Sequence, residues 1–274
     1  MDGSRESHIA KDSEQMGKLT DKQGYICDMD GVIYHGDRLV EGTKEFVDWL
    51  KEKGKRFLFL TNSSAKSPKE LKQKLSRMGI EVEAEDFTTS AQATASFLAS
   101  QNPNTGVYVI GESGLINALH DAGFYIDNVN PKYVVVGESR TYNFEQIELA
   151  VNLVLNGAKL IGTNSDLTGP SDRGVAPACR ALVAPIEMAT NRRAYFIGKP
   201  NPLIMRHAIN KIGCRLEDTL IVGDRMDTDI IAGIESGIET ALVLSGITKR
   251  ADLELFPYQP DHVLDCVADI IRGT

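Results

Sequence analysis

The chain has 274 residues, 42% of them hydrophobic and 25% charged, with a formal net charge of −8. Its length holds one large domain or a core with an insertion. The negative balance removes any electrostatic ground for binding nucleic acid or an anionic membrane, and no run approaches the 18 or so apolar residues of a membrane span.

Residues 1–21 are polar and mixed in charge, lack the apolar centre of a signal peptide, and read as a loose leader. The Met-Gly pair at Met16 marks a second point at which the native chain can begin. Beyond the leader, short runs rich in Val, Ile, Leu and Phe recur: "YIC", "RFLFL", "VYVI", "YVVV", "KLIG", "AYFIG", "TLIVG" and "ALVLS". Continuous apolar runs of this kind suit strands covered on both faces, as in parallel sheets between helices. In "SPKELKQKLSRMG", Leu71, Leu75 and Met78 share a helical face, with Ser67 as N-cap, Pro68 at the first helical position and Gly79 past the end. "NPLIMRHAINKIG" repeats that grammar with Asn201, Pro202 and Gly213, and its apolar face carries Leu203, Ile209 and Ile212. "DTDIIAGIESG" is a shorter third helix. The alternation predicts a doubly wound α/β fold with a parallel sheet. The four cysteines (Cys27, Cys179, Cys214, Cys266) show no CxxC and no histidine in metal spacing, so they read as incidental thiols of a cytoplasmic protein.

Several strands stop at a polar residue: Asp28 after "YIC", Thr61 after "FLFL", Lys199 after "YFIG" and Asp224 after "LIVG". Open parallel sheets bind ligands beyond the carboxyl ends of their strands, so two acids, a hydroxyl and a cation are predicted at one crevice. Residues 102–192 hold a second set of strands and helices without such endings. They read as a smaller α/β domain inserted into a core made of residues 22–101 and 193–274.

Taken singly, Asp28-x-Asp30, "TN" and "GKP" are weak signals, because loop acids, turn asparagines and Lys-Pro are common. "GDRMDTD" is stronger: three aspartates within a few residues of a strand end are costly unless a metal or substrate compensates them. The order carries the argument. "DMDGV", "TN", "GKP" and "GDRMDTD", in that sequence, resemble the four signature motifs of the haloacid dehalogenase superfamily of phosphohydrolases. "LTNSS", "GTNSD", "FIGKPNP", "VNPKYVVVGESRTYNF" and "PACRALVAPIE" narrow the resemblance to the NagD-like phosphatases, and to the bacterial ones in particular. That subfamily carries a type IIA α/β cap between its second and third motifs, where the insertion lies.

The resemblance implies a Rossmann-like core and a Mg²⁺-dependent phosphomonoesterase. Asp28 is then the nucleophile, already ionised and forming an aspartyl-phosphate. Asp30 is the general acid and base. Lys199 sets a positive charge on the transferring phosphoryl group. Thr61 and Asn62 bind its oxygens, and in the cap loop Thr163–Cys179 the residues Asn164 and Asp166 face substrate, with Asp172 and Arg173 nearby. Mg²⁺ would be held by the Asp28 and Asp224 carboxylates and the Asp30 main-chain carbonyl, with Asp229 behind them orienting the site. Ser165 stands where the family usually has proline and Arg180 where a small residue is common, both in the region that chooses the leaving group.

The implied substrates are small phosphomonoesters, nucleoside monophosphates (UMP and GMP among them) first. Sugar phosphates, phosphoglycolate and pyridoxal phosphate are the alternatives, and 4-nitrophenyl phosphate serves in either case. A receiver-type signalling domain is disfavoured by the insertion and by Asp30, and a non-catalytic binding protein by the presence of Asp28, Asp30, Lys199 and Asp224 together. Relatives often pair through the cap, so the resemblance allows a homodimer there, while the apolar pattern identifies no interface and leaves the oligomeric state open. His35, in the turn after Asp30, fits either a substrate contact or an ordinary surface role. "VIGESG" falls short of a dinucleotide-binding turn.

Overall fold

The structure is a computed structural model, and it describes residues 19–171 and 174–272. In chain order the elements are β1 (Gly24–Cys27), the hairpin of β2 (Tyr34–His35) and β3 (Arg38–Leu39), α1 (Thr43–Glu52), β4 (Arg56–Thr61), α2 (Pro68–Arg77), β5 (Phe87–Thr89) and α3 (Ser90–Gln101). There follow β6 (Gly106–Ile110), α4 (Ser113–Asp121), β7 (Tyr125–Ile126), β8 (Tyr133–Val136), α5 (Phe144–Leu155) and β9 (Lys159–Gly162). The hairpin of β10 (Thr168–Ser171) and β11 (Gly174–Pro177), α6 (Cys179–Thr190) and β12 (Tyr195–Phe196) come next. The chain closes with α7 (Pro202–Ile212), β13 (Thr219–Gly223), α8 (Ile231–Ser236), β14 (Glu239–Val243), β15 (His262–Leu264) and α9 (Asp269–Arg272).

The described residues divide into two compact units. One holds those up to Leu60, Ser76–Glu81 and those from Ala208 onward; the other holds Thr61–Leu75 and Val82–His207. The 102–192 segment lies wholly in the second unit.

In the first unit, parallel strands pair in the order β15-β14-β13-β1-β4. β1 is buried throughout, as its unbroken "GYIC" requires of a central strand. From β1 the chain moves one way to β4, while β13, β14 and β15 lie on its other side. The order therefore reverses between β1 and β13, the place where doubly wound sheets bind ligands. Helix α1 closes over β1 with Phe46, Val47 and Leu50, and the Tyr25 ring stands edge-on to Phe46 and Trp49 at 5.9 and 5.7 Å.

Helix α2 starts as its sequence dictates. Glu70 accepts hydrogen bonds from the Ser67 N–H (2.8 Å) and hydroxyl (2.7 Å), and Leu71 and Leu75 are buried. In α7, Asn201 Oδ1 caps the Leu203 N–H at 2.9 Å, but the buried stripe is Ile204, Met205, Ala208 and Ile212. Leu203 and Ile209 flank it, so the face lies one step round from the expected one.

The second unit has its own parallel sheet in the order β12-β9-β8-β6-β7, with a core of Ile110, Val134, Val136 and Leu160 against Leu153, Val154, Val183 and Ile186. One expectation differs here: β12, the strand before Lys199, pairs with β9 in this sheet and not in that of β1 and β13. A two-residue apolar strand carries no alternation that would tell one parallel sheet from another. Among the described residues no helix is long and apolar enough to cross a membrane.

Candidate active site

In the first unit, adjacent strands β1 and β13 each end in an aspartate. The Asp28 N–H continues the ladder to the Val222 carbonyl at 2.8 Å, so the strand pairing itself sets where Asp28 leaves the sheet. Asp224 and Asp229 are each 1% exposed. One carboxylate oxygen from each of Asp28, Asp224 and Asp229 lies within 4.8 Å of the others.

Glycines make this closeness sterically possible. A Cβ at Gly246 would sit 1.9 Å from Asp224 Oδ2, one at Gly31 (φ +86°) 2.4 Å from the same atom, and one at Gly223 2.1 Å from the Asp229 Cβ. Asp224 Oδ2 accepts from the Ile247 N–H at 2.7 Å, and its Oδ1 is a buried oxygen that accepts no hydrogen bond from the described residues. Asp229 Oδ2 accepts from the Arg225 N–H at 3.1 Å. The Arg225 guanidinium turns instead to Asp227, at 3.0 and 2.8 Å, so the middle aspartate of the motif stands outside the cluster in an exposed ion pair.

Full charges no more than 4.8 Å apart repel by at least about 3.5 kcal/mol per pair at an effective dielectric near 20. All-oxygen donors in a buried, crowded acidic group match a small hard cation such as Mg²⁺.

Asp30 follows in the turn between β1 and β2. The Tyr34 hydroxyl donates to its carboxylate, and burial, then the Asp30 and Asp28 charges, hold the Tyr34 phenol well above its ordinary value. The turn is pinned at two further points. The Ser245 hydroxyl donates to the Gly31 carbonyl at 2.7 Å, and the His35 ring donates to the Ser245 carbonyl at 2.8 Å. His35 thus fastens the β2–β3 hairpin to the loop after β14.

In the second unit, Thr61, Asn62, Asn164, Asp166 and Lys199 are gathered around Asn62. The Asn62 side chain grips the Lys199 backbone at both ends: Oδ1 accepts from its N–H at 2.7 Å and Nδ2 donates to its carbonyl at 3.1 Å. Nδ2 also donates to Asp166 Oδ2 at 3.1 Å. Asn164, 0% exposed, donates to the Asn62 carbonyl and to Glu138 Oε1, both at 2.7 Å. Thr61 Oγ1 accepts from the Ser63 N–H at 3.1 Å, which leaves its own proton to donate elsewhere. Lys199 is 2% exposed. A Cβ at Gly198 would lie 2.7 Å from Asn62 Oδ1, so the glycine before the lysine lets this grip form.

Arg180 lies against Glu187 at 3.2 Å with its guanidinium 4.8 Å from the centre of the Phe196 ring, and Ser165 is exposed. Asp172 and Arg173 fall outside the described residues. Glu138 and Ser64 escaped the sequence reading. The signal was present, since "YVVVGE" is another strand running into a polar residue.

A model of the haloacid dehalogenase-like hydrolases matches residues 25–125, and a HAD-hydrolase-like model matches 196–270. The chain is 45% identical over 252 residues to dihydroxyacetone phosphatase of Corynebacterium glutamicum (strain R), covering 92% of each. It is 43% identical to ribonucleotide monophosphatase NagD of Escherichia coli (strain K12), covering 89% of this chain and 96% of that one. The solved NagD structure superposes with a TM-score of 0.84 at 41% identity, covering 90% and 97%. The glycerol phosphate phosphatase of Mycobacterium tuberculosis, solved in complex with magnesium, gives a TM-score of 0.87 at 28% identity, covering 92% of this chain and 77% of that one.

Proposed function

Because the chain belongs to the haloacid dehalogenase-like hydrolases, in their NagD-like subfamily, and is a phosphomonoesterase, we propose that it hydrolyses small phosphorylated metabolites, nucleoside monophosphates first, with Mg²⁺ and through an aspartyl-phosphate on Asp28. The observation that carries this reading is the convergence of Asp28, Asp224 and Asp229 where the strand order reverses, with Asp30 in the next turn.

Mg²⁺ would be held by the Asp28 and Asp224 carboxylates and the Asp30 carbonyl, with Asp229 behind them, and when bound it supplies charge neutralisation for an anion attacking an anion. The remaining steps belong to side chains. Asp28 attacks phosphorus and the ester oxygen leaves with a proton from Asp30. Asp30 then takes a proton from the water that opens the aspartyl-phosphate, which restores both residues. The Tyr34 hydroxyl, donating to Asp30, fixes where that carboxyl points. Following the family motifs, Lys199 and Thr61 stabilise charge on the phosphoryl oxygens. Residues 102–192 act as the cap that shields the reaction and selects the leaving group.

A triose or sugar phosphate is the second reading. The C. glutamicum relative is named for dihydroxyacetone phosphate and matches at 45%, against 43% for the ribonucleotide phosphatase, so identity does not separate the two classes.

The test is phosphate release from a panel of 4-nitrophenyl phosphate, nucleoside monophosphates, dihydroxyacetone phosphate and sugar phosphates, with Mg²⁺ and with chelator. Chelator-sensitive turnover fastest on UMP or GMP supports the first reading. Turnover fastest on a triose or sugar phosphate selects the second, and no metal-dependent release from any of them refutes both.

A further inference from the structure

We infer that Glu138 is a positioning residue for phosphoryl transfer: it anchors the Thr61–Ser64 loop and, through Asn164 and Asn62, the backbone of Lys199. The inference rests on the phosphatase reading above, in which Thr61, Asn62 and Lys199 handle the phosphoryl group.

Glu138 follows β8, two residues past its end, and both of its carboxylate oxygens accept. Oε2 takes the Ser64 N–H at 2.9 Å and also the Ser64 hydroxyl; Oε1 takes the Asn164 amide at 2.7 Å. The Asn164 amide donates as well to the Asn62 carbonyl, which the Ser90 hydroxyl also reaches, so the peptide plane after Asn62 is held from two sides. Asn62 in turn grips the N–H and carbonyl of Lys199. A continuous relay therefore runs from Glu138 to the backbone of Lys199, and a second branch runs to Ser64.

Packing leaves this relay little freedom. Ser64 and Asn164 are 0% exposed and Asn62 8%. A Cβ at Gly137 would lie 2.4 Å from the Ser64 hydroxyl oxygen, and one at Gly114 2.7 Å from the Ser64 carbonyl. Thr163 Oγ1 lies against Ser64 Oγ at 3.2 Å. Three donors converge on Glu138, and only a carboxylate offers two acceptor oxygens to meet them. A carboxamide of the same shape turns an NH₂ toward either Ser64 or Asn164 and mispairs one branch.

The experiment compares wild type, Glu138→Gln, Ser64→Ala and the double variant, each assayed well below its measured melting temperature. Turnover of 4-nitrophenyl phosphate and UMP is followed, with inorganic phosphate as competitive inhibitor. In Glu138→Gln, kcat is expected to fall by about 10- to 100-fold, the phosphate inhibition constant to rise in parallel, and both substrates to lose the same factor, because the relay serves the phosphoryl group and not the leaving group. Ser64→Ala should show a smaller change of the same pattern, and the double variant should be no worse than Glu138→Gln alone. A purely structural Glu138 would lower the melting temperature while leaving the phosphate inhibition constant unchanged. That result, or an unchanged kcat, overturns the inference while leaving the phosphatase reading intact. A wild type that releases no phosphate from any substrate defeats the reading and the inference with it.

Discussion

Gly246→Ala is a one-carbon perturbation whose consequence follows from the geometry. The added Cβ would stand 1.9 Å from Asp224 Oδ2, 2.3 Å from its Cβ and 2.4 Å from its Cγ. Ordinary contact needs roughly 3.5 Å, so one partner must retreat by roughly 1.5 Å. The main chain on either side resists, because Asp224 Oδ2 is tied to the Ile247 N–H at 2.7 Å and the Asp224 carbonyl to the Thr248 N–H at 3.1 Å. Overpacking of this kind costs about 1–3 kcal/mol, so the variant should remain folded with a lowered melting temperature. Its carboxylate, however, leaves the group shared with Asp28 and Asp229. The Mg²⁺ concentration for half-maximal turnover of 4-nitrophenyl phosphate should then rise by about 10- to 100-fold, comparable to losing a neighbour that orients a metal ligand. A metal titration of wild type and variant at saturating substrate reads this directly. An unchanged Mg²⁺ dependence with unchanged kcat would refute the placement of the cation at Asp224.

Asp28→Asn should abolish turnover with the fold retained, as judged by circular dichroism; appreciable phosphate release would remove Asp28 from the nucleophilic role. Tyr34→Phe deletes the hydroxyl that donates to Asp30, and should slow a poor leaving group (UMP) more than a good one (4-nitrophenol). Equal slowing would place the effect outside Asp30. The Glu70 carboxyl is held below its ordinary value by the Ser67 N–H and then the Ser67 hydroxyl, so the stability it adds is present above the ordinary carboxylate range and is lost as pH falls through the lowered value. Glu70→Ala should melt below wild type at neutral pH, and the gap should close on acidification. A gap independent of pH would show that the carboxylate is not what caps α2.

Much of this was written locally in the sequence. "SPKE" announces the start of α2 because cap, proline and glutamate are all within one turn of one another, and Asn201-Pro202 does the same for α7. Asp28 and Asp224 were visible because each follows an unbroken apolar strand, and neighbouring parallel strands bring such ends together. The rest depended on distant partners. The buried stripe of α7 is Ile204, Met205, Ala208 and Ile212 because of what packs there, which its own apolar residues do not specify. Nothing in "YF" says that β12 pairs with β9. Glu138 is a solitary acid in sequence, and its meaning appears only when Ser64, 74 residues earlier, and Asn164, 26 residues later, are brought to its two oxygens. His35 had two readings, and the Ser245 carbonyl, 210 residues away, gives it a structural partner.

The central claim is that phosphate passes through Asp28. Turnover of 4-nitrophenyl phosphate, whose leaving group departs with little help from an acid, by wild type and by Asp30→Asn, stopped in acid within the first catalytic cycle, would allow the phosphoryl group to be mapped by peptide mass spectrometry. The account predicts a covalent phosphate on the Asp28 side chain, more abundant in Asp30→Asn because the base that activates water is gone. Phosphate on any other residue, or turnover in both proteins with no covalent phosphate at any time point, would contradict it.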